Sequence, residues 1–180
     1  MTVDVVATGQ TSQNWKQHDF SIGVNDCWKL GKPIDALVVC NRPEQFSSDR
    51  FEIIKSSTPK DFYSHKSNWA EYFPKWKKLN LVTWYGTLNP NQTYCSDTSP
   101  FIAMSLAYNL GAKKIILWGC DFKDHHIYND FNPQTKREVE RYLELISALN
   151  EKGVEVFLGT NGTAFDDKLK VYEENIPAIS

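Results

Sequence analysis

Residues 98 to 119, TSPFIAMSLAYNLGAKKIILWG, limit what this chain can fold into more than any other segment. Thr98 or Ser99 stands where a helix N-cap belongs and Pro100 at the first helical position. Apolar residues follow at helical spacing until Gly111 stops the helix. The apolar run KIILWG (114 to 119) comes immediately after it and is too short for a buried helix, so it reads as a strand. The same order recurs downstream. PQTKREVERYLELISALNEKG predicts a helix from near Pro133 to Gly153, with Val139, Tyr142, Leu143, Ile146 and Leu149 as its apolar stripe, and VEVFLG (154 to 159) predicts the next strand. A strand that is apolar along its length needs cover on both faces, and repeated helix-to-strand crossovers provide it. The expected fold is α/β: a doubly wound, mostly parallel, Rossmann-like sheet with helices on both faces.

Further strands are predicted at 3 to 8 (VDVVAT), 19 to 24 (DFSIGV), 35 to 40 (DALVVC), 51 to 55 (FEIIK) and 81 to 86 (LVTWYG). SNWAEYFPKWKK (67 to 78) predicts a weaker helix that Pro74 must kink or end. With 180 residues, 41% hydrophobic and 23% charged, the chain suits a single domain spanning residues 1–180, without repeats or an interdomain linker. Twenty basic residues against 22 acids leave a net charge of -2, too little field to hold a nucleic-acid backbone or an anionic membrane. No nucleic-acid partner is expected. Cys27, Cys40, Cys95 and Cys120 show no C-x-x-C spacing and read as reduced thiols. No apolar run approaches the roughly 20 residues of a membrane span, and no signal-peptide pattern is present. A cytoplasmic protein is expected.

In a parallel sheet, ligands bind beyond the carboxyl ends of the strands, where loops and helix N-termini converge. The loop Thr8-Gly9-Gln10-Thr11-Ser12 after the first strand could take a phosphate: Gly9 permits close approach, and Thr11 and Ser12 add hydroxyls. It has no second glycine and no G-K-[ST], so the same residues also fit a plain strand-to-helix turn. Asn25 and Asn41 end two strands and could pair with a base or ribose, or simply close turns. Thr98 and Ser99 lie where an anion would meet a helix N-terminus. After KIILW, the stretch Gly119-Cys120-Asp121-Phe122-Lys123-Asp124-His125-His126 delivers acids, a lysine and two histidines to the same edge.

The ordered segments VVATGQTS, VNDCWKLGKPIDALVVCN and TSPFIAMSLAYNLGAKKIILWGCDF resemble the bacterial CMP-sialic-acid-dependent sialyltransferases and a wider sialyltransferase-like set, many of them in phages. Archaeal hydroxymethylpterin pyrophosphokinases are more distant members. The resemblance covers residues 3 to 46 and 94 to 158. It implies that Gly9, Gln10, Thr11 and Ser12 form the phosphate-side loop and that Asn25 and Asn41 contact the nucleotide. It further implies that Thr98 and Ser99 form the helix cap, and that Gly119, Cys120 and Asp121 match the G-x-D after the central strand. The sialyltransferases carry a long lid after G-x-D-F, with a general-base histidine and tyrosines that hold the phosphate. Here only residues 124 to 133 are available, and Lys123 stands at the first tyrosine. The shorter loop His125-His126-Ile127-Tyr128 is more similar to that of the phage-type relatives.

A histidine near its ordinary pKa of about 6.5 can take a proton from an acceptor hydroxyl, and His126 is the preferred base, with Asp121 or Asp124 to orient it. Lys123 would neutralise the departing phosphate. The alternative is a polar surface loop. Asp121, His125 and His126 as metal ligands are disfavoured, because adjacent histidines rarely reach one ion. His18 and His65 lie in polar contexts that suggest no role. The expected function is a nucleotide-binding, sialyltransferase-like glycosyltransferase that uses a CMP-linked sugar as substrate, a histidine base, and no metal or other cofactor. The alternatives are a non-catalytic nucleotide-binding module and an ATP- and magnesium-dependent pyrophosphokinase in which Asp121 would hold the metal. Homo-oligomerisation is compatible with all three.

Overall fold

The computed structural model describes residues 1–123 and 125–174. In chain order its elements are β1 (Thr2–Val6), β2 (Phe20–Val24), β3 (Ala36–Val38), α1 (Ser48–Ser56), β4 (Asp61–Ser64), β5 (Lys77–Lys78), β6 (Leu81–Thr83), β7 (Thr93–Cys95), α2 (Ser99–Asn109), β8 (Lys114–Trp118), α3 (Pro133–Glu151) and β9 (Glu155–Leu158). Seven strands form one sheet in the order β5-β4-β3-β2-β1-β8-β9, and every pairing in it is parallel. The strand order reverses beside β1. From β1 to β5 the chain adds strands in one direction, and β8 and β9 then extend the other side. Because parallel crossovers keep one hand, this reversal moves the connections to the opposite face.

The packing follows that division. The α2 and α3 residues Phe101, Met104, Tyr142, Leu145 and Leu149 cover one face with Val3, Val5 and Ile115 of the sheet. Ile54 of α1, with Trp15, Cys27 and Trp69 from short 3₁₀ turns, covers the other with Val6, Leu37 and Ile116. α2 is buried on almost every side, from Phe101 through Ala107, which explains its scarcity of charge. α3 is amphipathic and lies half in water, as its stripe predicts. Burial pushes the Cys27 and Cys40 thiols up to about 12, and the Cys120 thiol up as well, so they pack as small hydrophobes. All four cysteines are free.

Three expectations need correction. FEIIK, predicted as a strand, is the middle of α1: Phe51 and Ile54, three residues apart, face inwards while Glu52 and Lys55 are exposed. The strand predicted at 81 to 86 is only β6, which pairs with β7 in a separate two-stranded sheet. The helix predicted at 67 to 78 is a 3₁₀ turn, Ser67–Glu71; the chain then passes Pro74 and enters β5. The short strands β4, β5 and β7, of two to four residues, were not predicted, because such lengths barely register as periodicity. Among the described residues, no helix is long and apolar enough to cross a membrane.

Candidate functional site

β1 and β8 run side by side, with Val6 opposite Trp118, and the loops beyond them remain joined. Ala7 N–H donates to the Trp118 carbonyl at 2.7 Å, and Gly9 N–H to the Gly119 carbonyl at 2.9 Å. A Cβ on Gly9 would lie 2.4 Å from that carbonyl oxygen and 2.6 Å from Asp121 Oδ2, so only glycine fits. Asp121 completes the joint: it accepts from the Thr11 N–H at 3.0 Å and from the Thr11 hydroxyl, and the Gly119 N–H donates to Thr11 Oγ1 at 3.0 Å.

This joint corrects part of the phosphate-loop expectation. Thr11 and Ser12 turn inwards, Thr11 to Asp121 and Ser12 Oγ to the Gly9 carbonyl at 2.6 Å, and neither lines the crevice above. Gly9 makes room for the neighbouring loop and also lines the crevice above. Asp121 is a brace whose oxygens both accept from Thr11, which also bears on the roles expected of it as a partner for a histidine or a magnesium ion.

Above the joint is a crevice of about 450 Å³. Gly9, Gln10, Asn25, Asn41, Thr98, Ser99, Gly119, Cys120, Asp121, Lys123, His125 and His126 all line it, so the sequence-derived site converges except for Thr11 and Ser12. Asp124 lies outside the described residues. Asn25, just past β2, has a left-handed backbone (φ 52°), a conformation asparagine tolerates better than most residues. Its Oδ1 is buried and has no hydrogen-bond partner among the described residues. Asn41 is held by its main chain, whose carbonyl accepts from Trp69 Nε1 at 2.8 Å, leaving the side chain at the crevice wall.

Thr98 is the N-cap of α2 by position but does not cap with its side chain. Its hydroxyl donates to Glu138 Oε1 at 2.8 Å and lies 2.7 Å from the Tyr142 hydroxyl. The fully buried Glu138 also accepts from Ser96 Oγ at 2.8 Å and from Arg141 at 3.4 Å. α3 therefore fixes the loop before α2, and the α2 N-terminus meets the crevice without a side-chain cap, a place where an anion is favoured.

Two polar lining residues escaped the sequence reading, Arg50 and Asp97, and Tyr128, named there only as part of the histidine loop, joins them. Arg50 belongs to α1, the element mistaken for a strand, and the Phe51/Ile54 spacing was the signal that could have placed it. Its guanidinium donates to Asp26 Oδ1 at 2.9 and 2.7 Å and stacks 5.0 Å from the centre of Phe46. Tyr128 packs edge-on to Phe122 at 5.7 Å, and Phe122 in turn contacts Tyr142 and Phe165. Burial, with Asp97 and Glu138 nearby, raises the Tyr128 pKa, so the phenol keeps its proton and can donate.

The two histidines differ. His125 Nδ1 accepts from the Ile127 and Tyr128 N–H groups, each at 3.1 Å, so its neutral form carries the proton on Nε2. Desolvation, followed by the charges of His126 and Arg50, lowers its pKa and favours that form. His126 lies against it, with ring centres 4.2 Å apart. Among the described residues, no group of three His, Cys, Asp or Glu side chains is arranged to hold a metal ion.

Fold and crevice together define a class: Rossmann-like α/β proteins with a crevice at the point where strand order reverses, the place where such sheets generally bind ligands. Within that class the architecture is that of the sialyltransferases. The Campylobacter jejuni sialyltransferase CstII, solved with the substrate analogue CMP-3FNeuAc, is similar at a TM-score of 0.57 and 11% identity, over 96% of this chain and 85% of that one. The sialyltransferase CST-II in complex with a trisaccharide acceptor and CMP matches at 0.57 and 11%, covering 96% and 86%. The monofunctional α-2,3-sialyltransferase Cst-I from Campylobacter jejuni matches at 0.55 and 13%, covering 94% and 79%. No family model and no curated protein matches the sequence. The likeness is one of fold, and it agrees with the resemblance carried by the ordered sequence segments.

Proposed function

We propose that the crevice binds a CMP-linked sugar and transfers its glycosyl group to an acceptor hydroxyl. The observation that carries this reading is the convergence, on a sialyltransferase-like fold, of the unpartnered Asn25 Oδ1, Asn41, the α2 N-terminus, Arg50, Lys123 and the histidines around one crevice. The asparagines supply the directional polar contacts a nucleotide needs, and the cations and helix end suit its phosphate. In the transfer, the acceptor oxygen attacks the anomeric carbon, the bond to the phosphate oxygen breaks, CMP departs with that electron pair, and His126 takes the acceptor's proton. His125, with its Nδ1 already accepting two N–H groups, serves instead as an Nε2–H donor. Lys123 and Arg50 stabilise charge on the leaving phosphate without a metal ion.

Calorimetric titration of CMP, CDP, UDP, GDP and ATP, each with and without magnesium, tests the donor class. CMP should bind most tightly and independently of magnesium. Tighter binding of ATP that requires magnesium would overturn the proposal in favour of pyrophosphoryl transfer.

A further inference from the structure

Past Asn41 lies a second crevice, also of about 450 Å³, and Asn41, Asp97, Thr98 and Ser99 form the wall common to both. Its remaining polar lining includes Arg42 and Gln45 beyond β3 and His65 and Lys66 beyond β4, all at the same edge of the sheet, with Ser96 beyond β7. The turns that carry the two cations are fixed through their main chains. Arg42 N–H donates to Gln45 Oε1 at 2.7 Å, and Lys66 N–H to Ser64 Oγ at 3.0 Å. Neither cationic side chain enters an ion pair among the described residues. The acid of the shared wall, Asp97, is paired with Arg141 at 3.1 Å.

His65 adds an independent sign. Its Nδ1 is buried and has no hydrogen-bond partner among the described residues. Desolvation, and then the charge of Lys66, lower its pKa and favour the neutral ring, and an anion beside it would oppose that shift. An arginine, a lysine and an unpartnered imidazole around one cavity form a set of donors that matches the oxygens of an anion.

We infer that the second crevice is the acceptor subsite and recognises a carboxylate or phosphate on the acceptor, whose hydroxyl reaches the donor across Asn41 and Ser99. This rests on the donor reading above and gives the acceptor a chemical class: acidic rather than neutral. It also gives a role to β4 and its following turn, which lie outside the segments of sequence resemblance.

The test is an NMR titration of the CMP-saturated protein with inorganic phosphate, glucuronate or glucose, following the His65 imidazole resonance, assigned by its loss in His65→Gln. One or both anions should shift it saturably, and glucose should not; the tighter anion identifies the acidic group of the acceptor. Arg42→Ala and Lys66→Ala should each weaken anion binding by about tenfold or more while leaving CMP affinity unchanged. The inference is overturned if CMP binds and neither anion moves His65, if both variants bind the anion as the parent does, or if CMP displaces the anion, which would place it at the donor phosphate. If CMP itself does not bind, the donor reading fails and the acceptor assignment falls with it.

Discussion

Asn25 combines a strained backbone angle with a buried oxygen that has no partner, and both features have a cost that a bound ligand can offset. Asn25→Asp keeps the shape and the tolerance for the left-handed backbone, but replaces the amide donor with a charge that repels phosphate. CMP affinity should fall by about 1 to 3 kcal/mol, measured by calorimetry, with the circular dichroism spectrum retained. Undiminished affinity would remove Asn25 from the site. At His126 the expected effect is kinetic: His126→Ala should lower turnover of a CMP-sugar by about 10²-fold or more with donor affinity almost intact. If His126→Ala is silent and Lys123→Ala abolishes CMP binding, the loop is an anion clamp and the non-catalytic module is the better reading.

The loop between β8 and α3 is organised by His125 and Phe122 rather than by regular structure. The lowered pKa of His125 sets the sign of its pH response. The neutral imidazole that accepts from Ile127 and Tyr128 is the folded form, so its contribution is present above the ordinary histidine pKa of about 6.5 and is lost as pH falls through the lowered folded value. Hydrogen exchange at the Ile127 and Tyr128 amides, corrected for intrinsic rates, should therefore speed up between pH 7 and pH 5; an unchanged rate would show that the ring does not hold the loop. The joint between the β1 and β8 loops calls for a stability measurement. Thr11→Val removes the hydroxyl that donates to the buried Asp121 and accepts from Gly119 N–H, and urea unfolding should show a loss of about 1 to 3 kcal/mol. Because the two residues act together, Thr11→Val and Asp121→Asn combined should cost less than the sum of the single changes.

For the molecule as a whole, ligand binding and folding are linked. CMP at 100 times its dissociation constant should stabilise the protein by about 2.7 kcal/mol, visible as a rise in Tm that Asn25→Asp reduces at the same CMP concentration. The topology explains why so much polar chemistry can gather without weakening the core. The parallel sheet is covered by α2 and α3 on one face and by α1 and the 3₁₀ turns on the other, so the polar groups are confined to the strand ends. Both crevices lie along that edge, one beside the β1/β8 joint and the other towards β3 and β4.

By itself the sequence determined the class of fold, the strands that carry the first crevice, and most of the side chains around it, from Gly9 and Asn25 to His126. These are legible because apolar periodicity, helix caps and the residues that end a strand are local properties of the chain. Contacts between distant segments are not local. The Thr11–Asp121 hydrogen bonds join residues 110 positions apart, so only the folded chain shows that Thr11 and Ser12 face inwards and that Asp121 is a brace. Arg50 entered the crevice only when a five-residue apolar run proved to be helical. His65 and Lys66, in a turn with no motif of its own, became a site only because β4 pairs beside β3 and sets them next to Arg42. Local patterning decides which residues reach the edge of a sheet, whereas strand order, a property of tertiary pairing, decides which of them become neighbours there.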